Sequence, residues 1–409
     1  MKIALIASHV IQYQAPFFRL LAAQPELDLE VIFCSRDGAE TYLDPGMQTT
    51  LRWDLDLLGG YEHTFLHNYG FGEGYTRLIN PALVPKLLFG RYDAAIFFLG
   101  WGTISSLMGI AACRMSGTPL MLFGDSSFLG PRRALRESFL RKVIGSADAF
   151  LVSGAWNADY YRHYGADPNR FFDVPWAIDN ERFAVTFAPG EREEMRSRFL
   201  VSSVPRGSSE FLGSSGDALP RNSEEPEEPR GTRDFLIVYS GKLLPRKDPL
   251  TLLRAVDAMR HRHRAAVLFL GHGELREELQ RFAAERNLSV HFAGFVNQSE
   301  LPKHYAAADV FVLPSLDDPR ATVVNEAMAA GLPVIVTDRC GPAGDIVRHG
   351  ENGYVIGPGD VQTLASHLDT LVEEPGVRER MAARSREIIA TWDYNAGVRG
   401  VLEALRATC

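Results

Sequence analysis

Short apolar runs alternate with longer amphipathic segments along this chain, and the alternation occurs twice. The first series has strand candidates at 2–8 (KIALIAS), 29–35, 94–100, 119–124, 149–153 and 171–175, with helical periodicity near 15–23, 103–115, 131–144 and 155–163. The second has strands at 235–240 (FLIVYS), 266–271, 290–293, 309–313, 333–337 and 353–356, with helices near 249–261, 274–286, 299–307, 323–330 and 360–373. Continuous apolar strands separated by helices are what a parallel sheet covered on both faces requires. The expected fold class is α/β, with two doubly wound Rossmann-like domains, one over 1–180 and one over 233–376.

Between them, residues 201–232 are rich in Ser, Gly, Pro and Glu with few large apolar side chains. Such a stretch buries too little surface to offset the entropy of ordering it, and it reads as a disordered insertion or linker, with partner binding as the other reading. The longest apolar runs, such as AAIFFLG, are far shorter than the roughly 20 residues that span a bilayer. MKIALIAS reads as a first strand and not as a signal peptide, so a cytoplasmic location is expected. Cys34, Cys113, Cys340 and Cys409 lack ligand spacing, which fits reduced thiols and gives no metal site. A net charge of −8 argues against bulk binding of nucleic acid.

Open parallel sheets place ligands outside the carboxyl ends of their strands. After FLIVYS comes GKLLPRKDP, where Lys242 and Lys247 leave a strand on a Gly/Pro loop. Two ammonium groups there suit a diphosphate; read alone, they also fit a solvated basic turn. After FVLP comes SLDDPRATVVNEAMAAGLPVIVTD (315–338). A helix over 323–330 would start near Ala321, Thr322 and Val323 with backbone N–H groups pointing outwards, the makings of an anion site. Glu326, expected on its first turn, is placed to accept hydrogen bonds from ribose hydroxyls, and Asp318 precedes the helix by one loop, towards a bound sugar. The plain alternatives are a favourable first-turn acid and a turn former.

These residues resemble the family 4 retaining glycosyltransferases of GT-B fold. The matching motifs are Gly241, Lys242, Leu243 and Lys247 after a strand, Gly271 and Gly273 in LGHGEL, the segment 291–315, and paired acids at Asp318 and Glu326 followed by AMAAGLPV. The resemblance spans nearly the whole chain and is specific in the second half. It implies two domains facing a central cleft, a nucleotide diphosphate-sugar donor of UDP or GDP type, a glycan, lipid-linked or small-molecule acceptor, and no cofactor. It assigns Lys242 and Lys247 to the donor diphosphate, Glu326 to the ribose and Asp318 to the transferred sugar, with Gly273, Ala321 and Thr322 also at the donor. The first acid is Asp where the family has Glu, Arg320-Ala321-Thr322 stands for Phe-Gly-Leu, and Lys242 stands for Arg. A weak or inactive nucleotide-sugar-binding scaffold and a nucleotide-sugar epimerase are the alternative readings.

The first half is expected to hold the acceptor. Asp125, beside Ser126 and Ser127 at the end of PLMLFGDSS, is the candidate for sugar or acceptor contact; Trp101 reads as a stacking platform or a core aromatic, and His9 as a surface or satisfied group. The basic stretch 131–142 reads as a charged solvent face; it also fits peripheral contact with anionic lipid at the inner face of a membrane. The helices of 377–409 are expected to cross back to the first domain.

Overall fold

The computed structural model describes residues 1–44, 46–72, 76–124, 134–200 and 233–409. The first apolar series folds into β1 (Lys2–Ala7), β2 (Asp28–Phe33), β3 (Tyr42–Asp44), β4 (Thr49–Leu51), β5 (Glu62–Phe65), β6 (Ala94–Phe98), β7 (Leu120–Phe123), β8 (Ala149–Val152) and β9 (Phe171–Asp173). Seven of these form one parallel sheet in the order β5-β2-β1-β6-β7-β8-β9, while β3 and β4 make a separate antiparallel hairpin. The second series folds into β10 (Phe235–Ser240), β11 (Ala265–Leu270), β12 (Val290–Gly294), β13 (Val310–Leu313), β14 (Val334–Thr337) and β15 (Gly353–Ile356), parallel in the order β12-β11-β10-β13-β14-β15.

Apolar runs make the central strands because both faces are covered: every residue of β10 is buried, and β10 pairs with β11 on one side and β13 on the other. The edge strand β5, EHTF, is polar and only partly covered, so it carries no such run. Crossover helices are bounded by local chemistry. The helix Ile104–Ser116 begins where the Thr103 side chain accepts the Ser106 N–H, and it stops at Gly117, whose φ of 74° a side chain resists.

In each sheet the chain leaves a central strand first to one side and later to the other, which opens a crevice at the carboxyl ends. In the first sheet the crevice lies between β1 and β6, and in the second between β10 and β13. Residues 180–200, unassigned by the sequence pattern, pack on the second sheet. Phe183 is fully buried in its core, and Arg196 reaches Asp309 at 2.8 Å and the Ala307 carbonyl at 2.7 Å.

The tail divides instead of returning as a unit. Helix Pro375–Ile389 buries Met381, Ile388 and Ile389 in the second core, and Ser385 donates to the Leu332 carbonyl at 2.7 Å. Helix Tyr394–Thr408 packs on the first sheet, burying Val401 and Leu405, with Gly400 so close to the Asp173 carbonyl that a Cβ would sit 2.0 Å from it. Within the described residues no helix is long and apolar enough to cross a membrane. The stretch 201–232 and the start of the basic stretch, 131–133, lie outside the described residues.

Candidate functional site

The loops at the second crevice, Gly241–Lys247 after β10 and Ser315–Thr322 after β13, carry most of the sequence-predicted residues. Glycine lets the first loop sit where it does. A Cβ on Gly273 (φ 157°) would meet the Leu243 carbonyl oxygen at 2.5 Å, and one on Gly271 would meet that of Gly241 at 2.0 Å. Gly273 therefore supports the lysine loop, which is held by Leu243 N–H to the His272 carbonyl at 3.0 Å and Leu275 N–H to the Leu243 carbonyl at 3.1 Å. Gly273→Ala is expected to cost about 1–3 kcal/mol of stability, measured by denaturant unfolding, because the clash is with backbone.

Lys247 and Asp318 meet directly: Nζ donates to Oδ2, and their side chains are only 11% and 10% exposed. Asp318 is fixed on every side. Its Oδ1 accepts the Ala321 N–H at 3.1 Å, its N–H donates to the Arg339 carbonyl at 3.0 Å, and its carbonyl accepts the Gly341 N–H at 3.0 Å. The two loops are tied by Leu316 N–H to the Arg246 carbonyl at 2.8 Å and Arg246 Nη1 to the Asp317 carbonyl at 3.1 Å.

Ala321 caps the next helix, Thr322–Ala329, in the left-handed conformation (φ 41°, ψ 46°) although it has a Cβ. That conformation costs an L-residue about 1–2 kcal/mol, against about 0.5–1 kcal/mol of extra chain entropy for glycine. Ala321→Gly is expected to stabilise by about 0.5–1 kcal/mol, seen as a melting temperature higher by about 2 °C. Thr322 and Val323, the first two helical residues, open the helix directly beside Asp318.

Glu326 lies elsewhere than the sequence suggested. Because the helix starts at Thr322, Glu326 falls in its second turn, and its carboxyl turns inward, where Oε2 accepts the Tyr305 hydroxyl at 2.8 Å. Burial pushes its pKa up to about 7, against the lowering effects of the Tyr305 hydroxyl and of Arg182. It is an interior acid behind the helix mouth, not a first-turn acid at it.

The first domain faces these groups with residues that sequence reasoning missed. Lys242 Nζ donates to Asp44 Oδ1 and Oδ2, at the end of β3, at 2.7 and 2.9 Å. Arg320 Nη1 donates to the Tyr13 hydroxyl at 3.0 Å, and its guanidinium lies 5.4 Å from the Trp176 ring. His9, set aside as a lone histidine, lies at the carboxyl end of β1, with Ser8 Oγ 2.9 Å from its Nδ1. Burial, then the nearby cations of Arg77, Arg320 and Lys242, lower its pKa to about 4 against the opposing pull of Asp37, so it is neutral at neutral pH. Position after β1 is the signal that could have found His9 and Tyr13. Trp101 is 7% exposed and stacks on Tyr160 with centroids 6.3 Å apart, as a core aromatic. Asp125, Ser126 and Ser127 lie outside the described residues.

Two parallel-sheet domains with a cationic loop and a helix start at the second switch point define the GT-B class of architecture. Residues 220–388 match the model of the family described as Glycosyl transferases group 1. Over 163 residues the chain is 32% identical to an uncharacterized glycosyltransferase of Methanocaldococcus jannaschii, a match covering 39% of this chain and 42% of that protein's length. Over 321 residues it is 25% identical to the GDP-mannose-dependent alpha-(1-6)-phosphatidylinositol monomannoside mannosyltransferase of Mycolicibacterium smegmatis, covering 76% and 75% of the two chains. Among solved structures, Anabaena HepE in complex with UDP superposes with a TM-score of 0.73 over 100% of both chains at 17% identity, a likeness of fold.

Proposed function

We propose that this chain is a retaining glycosyltransferase of family 4 that moves a sugar from a nucleoside diphosphate to a hydroxyl of a glycan, lipid-linked or small-molecule acceptor. The observation that carries the reading is the convergence of Lys247, Asp318 and the start of helix Thr322–Ala329 at the switch point of the second sheet. The donor diphosphate lies against Lys242, Lys247 and the helix start, whose partial positive charge suits an anion. Asp318, locked by the Ala321 N–H, faces the transferred sugar, and Glu326 serves the ribose from behind the helix mouth. The relatives named above, one of them GDP-mannose-dependent, and a fold shared with a UDP-bound protein support a UDP- or GDP-type donor.

In this reading the acceptor enters from the first domain beside His9 and Tyr13, and Asp125 contacts it. As the bond to phosphate lengthens, positive charge grows on the sugar and negative charge on the diphosphate. Lys242, Lys247 and the helix start stabilise the latter. The departing phosphate oxygen takes the acceptor proton, and the hydroxyl attacks the face that the phosphate leaves, so the anomeric configuration is kept. Action in the cytoplasm, at the inner face of a membrane when the acceptor is lipid-linked, belongs to the same proposal. The test is release of UDP or GDP from a panel of sugar nucleotides, with the anomeric configuration of the product read by NMR. Acceptor-dependent release with an α-linked product from an α-linked donor supports the reading; an inverted product, or donor turnover to an epimer without acceptor, overturns it.

A further inference from the structure

The first lysine of the donor loop already carries an anion, and that anion belongs to the other domain. Asp44, whose side chain is 12% exposed, gives both oxygens to Lys242 Nζ at 2.7 and 2.9 Å. Its Oδ1 also accepts the backbone N–H groups of Gly46 and Met47 at 2.9 Å each, so its own turn fixes the carboxylate. The turn is fitted to the lysine: a Cβ on Gly46 would come 2.8 Å from Lys242 Cδ and 3.0 Å from Nζ. Beyond β4 the same stretch holds the second domain at three further points. The Arg52 carbonyl accepts Asn297 Nδ2 at 2.7 Å, Trp53 meets Phe295 edge-on at 5.6 Å, and Asp54 Oδ2 accepts the Ser299 N–H at 3.1 Å and its hydroxyl. The contacts thus run from the loop after β10 to the loop after β12, along the rim where a nucleotide would lie.

We propose that β3, β4 and the Arg52–Asp54 stretch form a donor-displaced arm, in which Asp44 holds the Lys242 ammonium of the free protein until the donor diphosphate takes it over. The inference rests on the donor site placed under Proposed function. A carboxylate held on Lys242 and a diphosphate bound there are like charges competing for one cation, so binding of one disfavours the other. With Lys242 34% exposed, solvent screens the pair and leaves it weak enough for a diphosphate to displace. Release also frees the rim contacts at Asn297 and Ser299, which couples donor binding to the position of the first domain.

The test is calorimetric titration of UDP and GDP into wild type, Asp44→Asn and Gly46→Ala, with circular dichroism melts to verify folding. Asn keeps the Oδ1 acceptor of the turn while removing the charge; Ala at position 46 alters no charge and pushes the turn off the lysine. Both variants are expected to bind the preferred nucleotide about two- to fivefold more tightly than wild type, since a competing bound state no longer lowers the competent fraction. Unchanged or weaker binding in both folded variants, with wild type still binding, overturns the arm alone. Absence of binding by all three proteins overturns the donor site itself, and the arm with it.

Discussion

Replacing Lys247 by Ala is expected to lower donor turnover about 100- to 1,000-fold, the loss typical of removing one charge-stabilising group from a reacting centre. The same change destabilises the fold. Lys247 is the counter-ion of Asp318, and both are nearly enclosed; Asp318 is left with the Ala321 N–H on its other oxygen. Breaking a buried pair from one side costs about 3–5 kcal/mol, because the remaining charge stays desolvated. The second substitution separates the two effects. Asp318→Asn added to Lys247→Ala removes the stranded charge and is expected to recover most of the stability while turnover stays low. Denaturant unfolding of the two single variants and the double variant gives the coupling energy directly. Full turnover in Lys247→Ala would remove that lysine from the mechanism, and additive stability losses would show that the pair is not the buried unit described here.

Stability is also expected to fall as pH rises through neutrality, with Glu326 as the cause. Burial raises its pKa to about 7 from a usual value of 4.5, so the folded chain holds the proton more tightly than the unfolded chain does. The resulting contribution is present in full below about pH 4.5 and is lost as pH rises through about 7. At about 1.4 kcal/mol per unit of pKa the swing is about 3 kcal/mol. Glu326→Gln keeps an oxygen to accept the Tyr305 hydroxyl and cannot ionise. The expected result is near-equality with wild type at about pH 4 and an advantage of about 3 kcal/mol for the variant at about pH 8, read by denaturant unfolding. Parallel profiles for the two proteins would show that Glu326 does not titrate as a buried acid. Because ribose hydroxyls would bond to this same carboxyl, the variant is also expected to bind nucleotides more weakly.

Much of this architecture is legible in the sequence because buried parallel strands leave continuous apolar runs, and a run such as FLIVYS admits few other interpretations. The omitted elements are those that packing does not mark. EHTF lies at a sheet edge, and Tyr42–Asp44 with Thr49–Leu51 is a short hairpin outside both sheets. At the site, Lys247, Asp318, Ala321 and Thr322 were legible because they follow strands that flank one switch point, which brings them together whatever their side chains do. Glu326 lies one position deeper in its helix than expected, since the helix begins at Thr322 behind the left-handed Ala321, a conformation that sequence does not favour for alanine. Asp44 gave no signal at all. Its role exists only through a contact with Lys242, 198 residues further along the chain, and no local pattern records a contact between domains.

Binding of a donor diphosphate at the second switch point can be seen in a crystal structure of the protein with UDP or GDP. The diphosphate is expected on Lys247, Lys242 and the amides of Thr322 and Val323, with Asp44 moved off Lys242. A nucleotide seated elsewhere, with Lys242 still on Asp44, would overturn the donor site.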